Sequence, residues 1–257
     1  MALSIDIKSL SRAEELLWSF GVSEPEHIDL DAIAFAQGAM VRYHPLDGCS
    51  ARLIGSDKRA VITINNRDGH TRQRFSLAHE LAHWIQDRGT GSFLCAKEDI
   101  GPYNAEAKGV ESSANSYASQ LVLPNYLFDP IARYSKLTLN SAAEIGELFH
   151  TSLTATAIKL IKRTEMIAFV ICHTKHGREW FIRGNRFPED LWVLNELHAD
   201  TPAFTMLYGN SAGMSKLVEE PATRWVSGPQ VHTRTARSQS VTLPEGRVLS
   251  LVTLTKA

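Results

Sequence analysis

Two histidines four residues apart with a glutamate behind the first, His79-Glu80-Leu81-Ala82-His83, are the residues whose types and spacing most directly permit chemistry. On an α-helix, positions i and i+4 share a face. Both imidazoles can therefore reach one Zn2+ at about 2.0–2.1 Å. Glu80 projects beside such an ion, where its carboxylate can take a proton from an activated water. A catalytic zinc needs a third protein ligand and one open position. Glu111 is the candidate ligand, preferred over Glu98 and Asp99. It falls beside the apolar positions Val110 and Ala114 of a helical pattern, where a carboxylate is costly unless paired or coordinated, whereas Glu98 and Asp99 fall in a loop. Asn115, four residues on, can accept the second ring N–H of a ligating histidine. Three good ligands leave a position for water, which points to metal-assisted hydrolysis; a structural zinc would be closed by four.

These side chains need a rigid frame. Residues 73–86 carry Phe75, Leu77, Ala78, Leu81, Ala82, Trp84 and Ile85, apolar over much of a helix circumference, so they predict a central helix, with Gly89 as its stop. A loop over 91–103 leads to Asn104, a cap for a second helix over 105–121 in which Val110, Ala114, Ala118 and Leu121 recur at helical spacing; Pro124 lies beyond its end. Upstream, residues 9–20, with Ser11 as N-cap and Gly21 as stop, and residues 30–37, stopped by Gly38, read as helices. The runs 40–43, 51–54 and 60–64, rich in Val, Ile and Leu, read as strands of a small sheet. Residues 142–149 and 152–161, with Ser141 and Ser152 as caps, resemble a helix-turn-helix. The second of these helices opens with Ser-Leu-Thr-Ala-Thr-Ala and keeps Lys159, Lys162 and Arg163 for its end, so a structural role is favoured over DNA reading. Beyond Met166 two hairpins are expected, 167–172 with 180–183 and 240–243 with 248–254, while 209–229 is partly loop. Trp180, Phe181, Trp192 and Trp225 read as core or interface residues.

The two motifs together, Arg-Phe-Ser-Leu-Ala-His-Glu-Leu-Ala-His ending at His83 and Glu111-Ser-Ser-Ala-Asn-Ser-Tyr-Ala-Ser-Gln-Leu-Val-Leu-Pro124, resemble the ImmA/IrrE family of gluzincin-like metallopeptidases over roughly residues 30–165. Tyr117 stands where that family has Phe, Val122 replaces a Leu, and Ala82 stands where Gly is frequent. The resemblance implies His79, His83 and Glu111 as ligands of one catalytic Zn2+ and Glu80 as base. It implies a regulatory endopeptidase that cuts a helix-turn-helix (XRE-type) repressor. The expected fold class is α+β: a zincin-like metallopeptidase domain with a small sheet and central metal helix over 1–130, a helical HTH-like segment over 131–164, and a small α+β C-terminal domain over 165–257, which in some members is sensor-like, of the GAF type. The rival reading is a non-catalytic zinc-containing regulator that binds DNA or a partner protein.

Blander readings stand beside these. His79 and His83 can be ordinary helix histidines, or the site can hold zinc without cleaving. Cys95, between the two ligand helices, is either a regulatory thiolate or a small buried apolar residue, the second being favoured. Arg72 and Arg74 either hold substrate or pair with acidic residues of the fold, and the second is the more common fate. Tyr103, Tyr117 and Tyr126 are all candidates for oxyanion stabilisation, and the sequence does not choose among them. A net charge of -1 and pI near 6.8 give no global field toward nucleic acid or anionic lipid. Three unpaired cysteines, Cys49, Cys95 and Cys172, fit a reducing, cytoplasmic setting. Residues 1–29 carry charges throughout and read as neither signal peptide nor membrane anchor.

Overall fold

The computed structural model describes residues 7–56, 58–87, 93–96, 109–209 and 211–255, with the backbone alone at 7 and 93–96. The chain is mixed α+β and divides into two compact units, Met1–Tyr134 with Ile145–Ser152, and Ser135–Glu144 with Leu153–Ala257. The segment 131–164 is thus shared between them.

The first unit begins with α1 (Arg12–Ser19), closed by a capping box. Ser11 Oγ accepts the Glu14 N–H at 3.4 Å and Glu14 Oε2 accepts the Ser11 N–H at 2.9 Å. The other oxygen of the buried Glu14 accepts the N–H groups of Asn125 (2.5 Å) and Tyr126 (3.3 Å) at the start of α5 (Asn125–Ala132). One carboxylate therefore satisfies the orphan donors of two helix N-termini, where negative charge is favoured. α2 (Leu30–Ala36) is capped by Asp29. β1 (Ala39–His44), β2 (Cys49–Gly55), β3 (Ala60–Asn65) and β4 (Phe93–Ala96) form a sheet in the order β1-β3-β2-β4, with β1 parallel to β3 and β2 antiparallel to both neighbours. Alternation sends Ala60, Ile62 and Ile64 into the core. α3 (His70–Gln86) packs on β2 and β3 and along α4 (Val110–Val122).

Four expectations change here. The loop over 91–103 contains a strand, β4, whose Phe-Leu-Cys-Ala run was too short to show a period and is defined by its pairing with β2. α3 begins three residues before position 73, at His70, because its first turn is polar and carries no apolar signal. Val110 is 49% exposed, outside the apolar stripe of α4, because it opens the first turn of that helix. α4 begins at Val110 and not at 105, with Gly109 at φ 61° as its N-cap in place of Asn104; Pro124 lies beyond its end as expected, at the N-cap of α5. Positions 89 and 104–108 lie outside the described residues.

In the second unit, α7 (Leu153–Arg163) packs on β5 (Ile167–Thr174) and β6 (Gly177–Arg183). Both expected hairpins are present: β5 with β6, and β10 (Thr235–Leu243) with β11 (Arg247–Leu254). Adding β8 (Val218–Pro221) gives one antiparallel sheet in the order β6-β5-β11-β10-β8. The first and last long strands of the unit, β5 and β11, are thus central neighbours, and both are buried almost throughout. Ile167, Phe169 and Ile171 of β5 and Val248, Val252 and Leu254 of β11 share one core with Trp225, Phe187 and Met206 and Leu207 of α8 (Pro202–Tyr208). Trp225 lies in that core, whereas Trp192 is exposed. The remaining elements are the two-residue strands β7 (Trp192–Val193) and β9 (Val226–Ser227), which pair with each other, and α6 (Leu139–Phe149), which crosses the division between the units. No helix among the described residues is long and apolar enough to cross a membrane.

Candidate metal centre

α3 is held from several sides. The Trp84 indole N–H donates to Gln37 O at 2.8 Å. Its ring lies 3.0 Å from where a Cβ on Gly55 would sit, so a side chain there would crowd the ring against the end of β2. The Arg74 guanidinium donates to Ile28 O at 3.0 Å. Burial lowers its pKa, and the nearby Asp29 and Asp31 oppose that shift. Arg72 Nε donates to Ser50 Oγ of β2 at 3.3 Å. Every residue from 75 to 84 is buried, including Ser76, His79, Glu80 and His83, as a central helix requires.

Within that helix His79 and His83 turn their rings toward each other, Nε2 to Nε2 at 3.1 Å. Packing of α3 against α4 brings Glu111 onto the same point: Oε2 lies 3.2 Å from His79 Nε2, and Oε1 lies 3.4 Å from His83 Nε2. On their outer sides both rings meet acceptors, His79 Nδ1 at 3.1 Å from Asn115 Oδ1 and His83 Nδ1 at 3.3 Å from Asp87 Oδ2. Those partners assign the ring protons to Nδ1 and leave a lone pair on each Nε2. Two lone pairs and a carboxylate thus converge, and Glu111 Oε2 is buried without a hydrogen-bond donor. Such a constellation repels itself unless a cation joins it. A tetrahedral ion with ligands at 2.0–2.1 Å separates its ligand atoms by roughly 3.3 Å, which the three distances match. The donor set therefore fits a divalent metal. Burial, followed by the neighbouring His83, lowers the His79 pKa to about 3 and keeps the ring in the neutral form that binds metal.

Other candidates go elsewhere. The Tyr126 hydroxyl donates to Val22 O at 2.7 Å. Tyr117 is buried beside the charges of Arg12 and Glu15 of α1, and burial raises its pKa. Cys49 and Cys172 are buried free thiols; burial, then Glu179, raises Cys172 to about 12, well away from a reactive thiolate. A second group of potential ligands, Glu24, Glu26 and His27, is exposed. The Cys95 side chain, Glu98, Asp99 and Tyr103 lie outside the described residues. Asp87 was not singled out from sequence. Its signal was there: it stands four residues after His83, the spacing at which helix side chains meet.

A family model described as the IrrE N-terminal-like domain matches residues 34–160. Over these residues the chain is similar to the ImmA/IrrE family of metallopeptidases. Among curated proteins it is similar to the radiation response metalloprotease IrrE of Deinococcus deserti, 25% identical over 166 residues that cover 63% of this chain. The match spans 57% of the length of that relative. A solved structure of a Mycobacterium tuberculosis transcriptional regulator shares the fold, with a TM-score of 0.59 and 14% identity over 93% of this chain and 73% of that one. A likeness to metallopeptidases implies a divalent metal, and the His79, His83 and Glu111 group is where this chain can hold one.

Proposed function

We propose that the protein is a zinc-dependent regulatory endopeptidase, with His79, His83 and Glu111 as the metal ligands and Glu80 as general base. The observation that carries this reading is the convergence of both Nε2 lone pairs and the Glu111 carboxylate at 3.1–3.4 Å. A zinc ion held there supplies Lewis acidity toward a peptide carbonyl and toward water. Glu80, buried and next to the first ligand, takes the proton of the attacking water and passes it to the leaving amine. Asn115 keeps the His79 ring oriented through its Nδ1–H.

The substrate in this reading is a helix-turn-helix repressor of the XRE type in the same cytoplasm. The family resemblance supports it, and the name of the Deinococcus relative, which ties that protein to a radiation response, supports a regulatory role. An extended chain must enter the site, so the cut falls in a linker or a locally unfolded segment of the partner. The C-terminal residues 165–257 serve as the sensor-like or docking part, a role compatible with an antiparallel sheet whose first and last strands are central. The rival, a DNA-reading regulator, is opposed by α7. Residues 156–161 of that helix are all buried, which leaves little of it to enter a groove.

The decisive experiment measures zinc content together with endoproteolysis of candidate repressors, wild type beside Glu80→Gln. The variant should hold zinc near stoichiometrically and lose about 10²–10⁴-fold in cleavage rate. Near-normal turnover would remove Glu80 from the mechanism, and rapid, indiscriminate digestion of casein would overturn the regulatory reading.

A further inference from the structure

We infer that Asp87 is a positioning residue of the metal centre, acting through His83. The inference rests on the metal reading above and concerns a residue that reading does not use. Asp87 is the C-cap of α3 and its side chain is 21% exposed. The cap itself is made by its backbone, whose N–H donates to His83 O at 2.8 Å. The side chain is not needed for that bond. A carboxylate at a helix C-terminus also stands against the local electrostatics, because the last carbonyls already carry partial negative charge. A residue that breaks a local rule calls for a compensating gain. The bond from His83 Nδ1–H to Asp87 Oδ2 at 3.3 Å supplies such a gain.

The two ligand imidazoles are therefore supported unequally. His79 gives its Nδ1 proton to the neutral amide oxygen of Asn115, and His83 gives its proton to an anion. An anionic acceptor makes the far nitrogen a stronger electron donor, fixes the tautomer and holds the ring plane. Asp87 also adds negative charge near the cation, beyond that of Glu111 and Glu80. His83 is thus the stronger of the two nitrogen ligands, and Asp87 makes it so.

The test uses the full chain stripped of metal. Zinc affinity is measured by competition with a chromophoric chelator for wild type, Asp87→Asn and Asp87→Ala, beside the melting temperature of each metal-free protein. Asp87→Ala should weaken zinc binding by about 10–100-fold. Asp87→Asn, which keeps an acceptor and loses the charge, should weaken it by a smaller factor. The metal-free melting temperatures should agree, because the backbone cap remains. If Asp87→Ala does not fold, the isosteric Asn variant decides. Wild-type affinity in the folded variants would overturn this inference alone, as would a fall in metal-free stability with affinity unchanged. A wild-type chain that takes up no zinc would overturn the metal reading and this inference with it.

Discussion

Two polar clusters, one in each unit, are built in opposite ways. In the first, His79, His83 and Glu111 are fastened on their outer sides or by their helices, and their inner atoms face one another. In the second, Glu220 is also buried, yet both its oxygens are engaged: Oε1 accepts the Trp225 indole N–H at 2.8 Å and the Ser238 hydroxyl, and Oε2 pairs with Arg224 at 3.1 Å. Gln239 likewise accepts the N–H groups of Leu139 and Asn140 at the start of α6 and donates to Ser215 O, and Ser240 and Ser250 bond each other at 2.8 Å. A network that closes on itself fixes a fold. One whose lone pairs point at a common centre invites a cation. Burial of a charged residue does not by itself mark a site; the direction of its acceptors does.

The contrast can be broken at either end. The largest effect is expected from Glu111→Ala, which removes one corner of the open cluster. Zinc affinity should fall well beyond the about 10–100-fold that loss of an outer hydrogen-bond partner costs. Metal content after dialysis checks this, and retention of stoichiometric zinc would show that the convergence is not a ligand set. Glu220→Ala should do the reverse. It leaves the buried Trp225 N–H and Ser238 hydroxyl without their acceptor, while Arg224 keeps Asp200, and should cost about 1–3 kcal/mol of stability for each buried donor left unsatisfied, with zinc affinity unchanged. Denaturant unfolding beside a metal titration separates the two readouts, and a loss of zinc in this variant would erase the distinction.

A smaller effect should appear on acidification. His173 of β5 is 1% exposed, and burial, reinforced by the Arg178 charge, lowers its pKa from 6.5 to about 4. The unfolded chain then binds the extra proton first. The contribution to stability is complete above about pH 6.5 and is lost as pH falls toward 4. It amounts to up to about 3 kcal/mol, at 1.36 kcal/mol per unit. Urea unfolding of the wild type at pH 7 and pH 4.5, beside His173→Leu, checks the sign. The variant should lose less on acidification, and an equal loss in both would move the titrating group elsewhere.

Much of this was legible from local pattern. The His-Glu-x-x-His spacing places two imidazoles on one helix face, because helix geometry is fixed within a few residues. Ser11 with Glu14 encodes a helix start, and the apolar runs with their turn residues encode the strands and both C-terminal hairpins. Those signals are short in range, so no knowledge of the rest of the chain is needed to read them. The tertiary structure alone decided the rest. β4 exists only as a partner of β2, since four residues cannot show a period of their own. Whether Glu14 serves one helix or two depends on where α5 starts in space, not in sequence. Glu111 meets His79 and His83 because α4 packs along α3, a matter of which faces the core leaves available. Asp87 acquires a partner because α3 stops one turn after His83, and the bond to the ring is made in the folded helix end. Spacing names the residues that can act; packing fixes the direction in which each lone pair points, and the chemistry resides in that direction.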